Sequence, residues 1–440
     1  LERASKFARQ DLYHRAIPLY EKLVRAFPDQ LELSLHLAHS LGLSGQRRRA
    51  YRIQNELHAE HPLMPELLVR CARDRDLWKD FEGALTLYQK LYDGDSKWKR
   101  EAAFHCIRLQ ERLNQIEESE MLLAQAESLG MVDDQWGWAL VRGHLARRTG
   151  DSVAALKFYS DAEKMAPKVK KVEAAVEIAR MADSNDDFEN AFRALERVRS
   201  YRAEEIGDFQ MSQSIFTGSQ EISDTSFDGV ADGPIFLAGL PRSGTSLLSR
   251  LLEQRYEVCL SEEHNFVNHL LKKFELAGGV FPRPAKLRGV SQHKKKVILE
   301  EYFEAQRQTI GYQPKVGQVL LDKNPSLTLL IPWLLEIIPN LRILWIDRDQ
   351  ADVWLSSMMQ NLPINQVTCW WNTASDYGAW ADPIQQLRNT LRGSLPSHRF
   401  AEITYGALVG DSAGVVDQVA QQFGLRSRNK QKRDQIPARS

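Results

Sequence analysis

"PIFLAGLPRSGTSLLSRLLEQ", residues 234–254, sets the grammar of the chain's second half. A short apolar run meets a turn of small residues, and a helical pattern of leucines follows at once. Gly239 and Gly244 stand five apart with Ser246 two later, the spacing of a phosphate-binding loop. Such a turn aims backbone N–H groups and the positive end of a helix dipole at one point, which suits a phosphate or a sulfate. A loop that holds a magnesium triphosphate carries lysine just before its Ser/Thr. Thr245 stands there instead and brings no charge, while Arg242 offers a planar fork matched to a tetrahedral anion. The pattern predicts an anion held without a metal-bound triphosphate.

Working outward, strand and helix patterns alternate. "YEVCL" (256–260), "VGQVLL" (316–321), "LRILWI" (341–346) and "RFAEITY" (399–405) read as buried strands. "SLTLLIPWLLEII" (326–338), "QADVWLSSMMQN" (350–361) and "AGVVDQVAQQFGL" (413–425) read as helices. That order predicts an α/β P-loop-like domain with a parallel sheet and crossover helices, whose ligands gather at the carboxyl ends of the strands.

The residues at those ends are chemically pointed. "CLSEEHNF" offers Glu262 and Glu263. A carboxylate there takes a proton from an attacking hydroxyl, or the pair simply favours a helix start; the residues alone leave the two even. "LLDKNPS" offers Lys323, placed by a strand and flanked by Asp322, to steady charge on a leaving oxygen. "LWIDRDQADVWLSS" puts Arg348 straight after a strand, with Ser356 eight residues later on the next helix. These two form a second anion clamp away from the first, or Arg348 pairs with Asp347, Asp349 or Asp352. Two clamps, a lysine and a glutamate without a magnesium motif fit a donor bearing two phosphate-like groups. 3′-Phosphoadenosine 5′-phosphosulfate (PAPS) is such a molecule.

The first half repeats itself. "AIPLYEKLVRAFP" begins at Ala16, "AYRIQNELHAEHP" at Ala50 and "ALTLYQKLYDGD" at Ala84, each 34 residues on; related lines start at Ser119, Ala155 and Ala191. Each carries a small residue first and often a closing proline (Pro28, Pro62, Pro167). Period and pattern match tetratricopeptide repeats, and five or six helix pairs are expected to stack into an all-α solenoid over residues 1–205. A stretch rich in Ser, Asp, Thr and Gly reads as a linker at 206–232, ahead of a catalytic domain at 233–440.

Bulk numbers exclude some functions. Lys+Arg and Asp+Glu both number 58 in 440 residues, so no basic surplus points to nucleic acid. Cys71, Cys106, Cys259 and Cys369 lie far apart and read as reduced core residues, not a metal set. No apolar stretch is long enough to span a bilayer and no signal peptide is visible, so a cytoplasmic location is the default expectation.

The motifs at 234–254 and 341–357 resemble the 5′-phosphosulfate loop and 3′-phosphate motif of the PAPS-dependent sulfotransferase superfamily. The pattern is similar to sulfotransferases that carry tetratricopeptide repeats and to protein-tyrosine sulfotransferases, over residues 233–425 and separately the repeats. The resemblance implies that Arg242 and the backbone of Ser243, Gly244, Thr245 and Ser246 hold the 5′-phosphosulfate, and that Arg348 and Ser356 hold the 3′-phosphate. It also implies Glu263 as general base and Lys323 beside the leaving group. The reaction implied moves a sulfuryl group from PAPS to a hydroxyl without a metal, leaving PAP. The acceptor is a protein or peptide bound by the solenoid (a tyrosine), a glycan or a small molecule. Two departures stand out: no RKGxxGDWK-like segment is present, and Gly406 replaces the usual acid after Tyr405. The adenine contacts are unassigned, and so is the basic tail "RSRNKQKRDQIPARS". The competing readings are a nucleotide-dependent phosphotransferase and a repeat scaffold with a degenerate catalytic domain.

Overall fold

The computed structural model describes residues 1–206 except 63, 95, 96 and 134. It also describes residues 233–428 except 264–266, 268–269, 271–273, 275–276, 279–280, 283–289, 314–316, 339 and 363–366. The expected linker lies outside the described residues apart from Ile206, which ends a helix, and residues 429–440 of the basic tail lie outside them too.

Among the described residues the first half holds twelve α-helices in six antiparallel pairs. They are α1 (Glu2–Arg9) with α2 (Tyr13–Ala26), α3 (Leu31–Leu43) with α4 (Arg47–Glu60), and α5 (Pro65–Leu77) with α6 (Phe81–Asp93). Then come α7 (Lys99–Arg112) with α8 (Ile116–Ser128), α9 (Trp136–Arg148) with α10 (Ser152–Met165), and α11 (Lys171–Ser184) with α12 (Phe188–Ile206). The repeat's small positions explain the stacking. Ala16, Ala50, Ala84 and Ala155 are fully buried and Ala191 nearly so, and Ser119 is buried with its hydroxyl donated to the Ile107 carbonyl. Tyr20, Tyr88 and Tyr159 fill the step four residues on. At Gly143 the approach is close: a Cβ there would come within 2.5 Å of the Tyr159 ring. Pro28, Pro62 and Pro167 each fall just past the end of a second helix, where a ring without an N–H stops propagation.

The second half is a three-layer α/β domain. Its strands are β1 (Ile235–Ala238), β2 (Val258–Glu262), a short antiparallel pair β3 (Ala277–Gly278) and β4 (Phe281–Pro282), β5 (Val319–Lys323), β6 (Arg342–Asp347) and β7 (Phe400–Thr404). Five form one parallel sheet in the order β2-β5-β1-β6-β7. The chain builds leftward from β1 and then crosses to its right, so the switch point falls at the carboxyl end of β1, where such sheets bind ligands. Alternation along β1 serves two cores. Ile235 and Leu237 face α13 (Thr245–Arg255) and the last helix (Ser412–Gln422). Phe236 and Ala238 face α14 (Gln292–Ile310), α15 (Ile331–Ile337) and α17 (Ala374–Ser394); α16 (Gln350–Met358) follows β6.

One helix differs from its sequence pattern. "SLTLLIPWLLEII" is split into a 3₁₀ turn, Pro325–Leu330, and α15. Pro325 and Pro332 withhold backbone donors there, and Thr328 bonds backward to the Pro325 carbonyl. The helices α14 and α17 had no counterpart in the sequence pattern.

The halves meet at the end of α16. Met358 is buried among the side chains of α9 to α12, and Trp354 packs against the cores of both halves. Arg180 on α11 donates Nε to the Met359 carbonyl at 2.8 Å, and Arg202 on α12 donates to the Gln360 carbonyl.

Candidate active site

The loop 239–244 leaves β1 at the switch point. Thr328 holds it from behind: its Oγ1 accepts the Gly239 N–H at 3.3 Å and lies 3.0 Å from the Gly239 carbonyl oxygen. Arg242 (φ 74°) and Gly244 (φ 102°) sit in the left-handed region. At Gly244 that conformation favours glycine, and a Cβ would also stand 2.5 Å from the Tyr405 ring. Ser243 and Thr245 are buried, with the Ser243 hydroxyl on the Leu240 carbonyl at 2.7 Å, so only their backbones face the crevice. No side chain caps α13. A helix start of this kind can take an anion on its first N–H groups.

The carboxyl ends of β2 and β5 supply the charges. Lys323, 6% exposed at its side chain, lies 3.1 Å from the Ser246 hydroxyl and 3.1 Å from Glu263 Oε1. Glu263 donates its N–H to the Lys323 carbonyl at 2.8 Å and adopts φ 48°, a strained conformation that turns its half-exposed carboxylate toward the ammonium. Glu262 does something else: it pairs with Arg250 at 2.7 Å. The sequence left a proton acceptor and a helix-start pair even; the structure gives the two acids different partners, Arg250 for Glu262 and Lys323 for Glu263. Asn324 is buried beside them and accepts the Ser326 hydroxyl at 2.6 Å.

Asp322 faces inward, where it accepts the Tyr302 hydroxyl in a fully buried contact. Burial pushes its carboxyl up to about 6, and the Tyr302 hydrogen bond pulls the other way. A raised carboxyl binds its proton in the folded state at pH values where the unfolded chain has lost it. Its stability contribution is complete below the ordinary carboxylate value and is lost as pH rises through about 6. Asp322→Asn keeps an acceptor for Tyr302 and removes that titration. The expected outcome is a higher melting temperature at pH 7, by a few degrees, and a flatter profile between about pH 4 and 6, read by thermal denaturation across pH.

On the other flank, Arg242 Nε lies 3.4 Å from the Ser356 hydroxyl, and Arg348 donates to the Arg242 carbonyl at 3.2 Å. The two clamps expected to lie apart are in contact. Arg348 stacks on Tyr405, 4.3 Å from the ring centre, and has a loose partner in Asp352 at 3.6 Å. Asp347 is taken by Arg388 and Asp349 caps α16, so neither competes for Arg348. The Arg242 guanidinium is held below its ordinary value first by loss of water, then by repulsion from Arg180 and Arg348.

Lys323, Ser246 and Glu263 thus meet on one flank of the loop and Arg242, Arg348 and Ser356 on the other, while Glu262 and Asp322 turn to Arg250 and Tyr302. Thr328, Tyr302 and Arg180 had not been singled out. Thr328 and Tyr302 act through folds in the chain that no local spacing encodes.

Residues 234–429 match the family model described as "Sulfotransferase family". This part of the chain is a sulfotransferase-family domain. Comparison with curated proteins gives no match. Among solved structures, the chain is similar to sulfotransferase STF1 from Mycobacterium tuberculosis H37Rv, at 16% identity and TM-score 0.28, covering 73% of this chain and 93% of that one. It is similar to a sulfotransferase domain from the curacin biosynthetic pathway at 16% identity and TM-score 0.28, covering 47% and 79%. BtubC from P. vanneervenii gives 17% identity and TM-score 0.36, covering 47% and 95%. Values this low carry no argument about fold or activity, so the assignment of the sulfotransferase domain stands on the family match. Among its described residues and those of the solenoid, no helix is long and apolar enough to cross a membrane, and no cluster of metal-ligating side chains occurs.

Proposed function

We propose that the protein transfers a sulfuryl group from PAPS to a hydroxyl acceptor by in-line displacement. The observation that carries this reading is the position of Lys323, whose ammonium touches both the Ser246 hydroxyl and the Glu263 carboxylate. In a magnesium triphosphate site the hydroxyl at that loop position ligates the metal. Here a lysine from the neighbouring strand stands against it, so the fixed cation is the protein's own. This favours a donor that needs no metal over a nucleotide-dependent phosphotransferase.

The loop amides and Arg242 grip the 5′-phosphosulfate, and Arg348 with Ser356 grips the 3′-phosphate. Glu263 takes the acceptor proton as the acceptor oxygen forms its bond to sulfur. The bond between sulfur and the bridging oxygen breaks, and Lys323 with Arg242 neutralises the charge left on PAP. Glu263 can do this only after Lys323 has turned from it toward the leaving oxygen. Positioning and preorganised charge supply the rate.

The solenoid offers the acceptor a path. A groove of about 770 Å³ lies on it, lined by Phe104 of α7, Trp136, Leu140 and His144 of α9, and Glu173 and Arg180 of α11. Such faces hold extended partners. A protein or peptide acceptor is the reading this favours. Titration with PAP and with ATP plus Mg²⁺ tests the donor. PAP is expected to bind in the micromolar range or tighter and to raise the melting temperature by several degrees, on the order of the ligand linkage at a hundred times Kd. A larger rise with ATP and Mg²⁺, or no binding of PAP, overturns the reading.

A further inference from the structure

We propose that Arg180, a side chain of the solenoid, is a positioning residue of the anion site in the catalytic domain, where it steadies the helix that presents Ser356 and adds a third positive charge beside Arg242 and Arg348. The proposal rests on the PAPS reading above.

The geometry is specific. Arg180 lies near the end of α11 and spans the boundary between the halves. Its Nε holds the Met359 carbonyl at 2.8 Å, at the C-terminal end of α16. Ser356, one turn back on that helix, meets Arg242 at 3.4 Å. A cation at a helix C-terminus opposes the negative end of its dipole, which favours the helix in this placement. Arg202 holds the next carbonyl, Gln360, and Met358 is sunk between the solenoid helices. The far end of the helix that carries Ser356 is thus fixed by the repeats.

Arg180 does more than fasten. The bland alternative is a staple between domains, and a staple needs hydrogen-bond donors but no net charge. Among the described residues Arg180 has one carboxylate partner, Glu177 on its own helix, at 2.5 Å. Its charge is felt at Arg242, whose guanidinium is held below its ordinary value by burial first and then by Arg180 and Arg348. Met359, which Arg180 holds, lies one turn from Ser356, which meets Arg242, and an anion bound there relieves the repulsion between the cations. Arg180 also lines the groove of the solenoid.

The test separates charge from stapling in the full-length protein, by calorimetric titration with PAP and by steady-state kinetics. Arg180→Gln keeps a donor for the Met359 carbonyl and loses the charge; Arg180→Lys keeps both. Arg180→Gln is expected to weaken PAP binding and raise the donor KM about tenfold with kcat within about threefold, and Arg180→Lys is expected to recover most of the loss. The salt dependence of PAP binding becomes shallower in Arg180→Gln only. Glu177→Gln, which removes the neutralising carboxylate, tightens PAP binding about two- to fivefold, a gain that damaged folding cannot imitate. Melting temperatures are read alongside, with Arg193→Gln on α12, away from the crevice, as the unaffected control. Equal PAP affinity in wild type and a folded Arg180→Gln overturns the proposal, as does a loss in Arg180→Lys as large as in Arg180→Gln, or weakened binding in Glu177→Gln. Failure of the wild-type protein itself to bind PAP overturns the donor reading instead.

Discussion

Lys323→Ala is expected to lower kcat by about two to three orders of magnitude with little change in PAP affinity. The ammonium is almost wholly buried and, among the described residues, touches the loop hydroxyl and the Glu263 carboxylate, so its loss leaves both without their cation. In the empty crevice that means an unpaired, half-exposed glutamate. In the transition state it means that charge on the leaving oxygen meets one fewer positive group. Glu263→Gln keeps the shape and the contact with Lys323 but cannot accept a proton, and kcat is expected to fall about a hundredfold or more. The pair is read together by single-turnover transfer of labelled sulfate. Equal damage from Lys323→Ala to PAP binding and to turnover would place the lysine in binding, and full activity in Glu263→Gln would remove the base.

Arg242→Ala and Arg348→Ala are each expected to weaken PAP binding about ten- to hundredfold, since each withdraws a charged, two-point contact from an anion. Their effects are expected not to add. Arg348 donates to the Arg242 carbonyl and shares the Tyr405 face with Gly244, so removing it also loosens the loop that aims Arg242. A double-mutant cycle read by calorimetry is expected to give a coupling of about 0.5–3 kcal/mol. Simple additivity would mean two independent clamps, as the sequence pattern first suggests. PAP affinity unchanged in both single variants would remove the crevice as the donor site.

The repeats were legible because a small residue every 34 to 36 positions has one use, the close packing of paired helices, and Ala16, Ala50, Ala84, Ser119, Ala155 and Ala191 are buried. The strand, loop and helix at 234–254 were legible for a similar reason: a glycine pair and a leucine period are local signals. Local signals also placed Lys323 and Arg348, because both directly follow or end apolar runs. What stayed hidden depends on distance along the chain. Thr328 reaches the loop from 89 residues away, and Arg180 reaches Met359 from 179 residues away. Arg180 has the spacing of an ordinary charged position on a repeat helix, so nothing in α11 marks it. The split of 325–337 was hidden by a leucine period that ignores the missing donors of its two prolines.

Met358 belongs by sequence to the catalytic half and by packing to the repeats. A catalytic fragment beginning at residue 233 would leave that side chain in water, with the Met359 and Gln360 carbonyls stripped of their arginine donors. The helix that presents Ser356 would fray from the end the solenoid now holds. Removing the repeats would therefore disturb the sulfotransferase-family domain itself. The last repeats and the helix that presents Ser356 are then expected to melt as one cooperative event, read by thermal denaturation, although α11 and α12 lie outside the sulfotransferase segment.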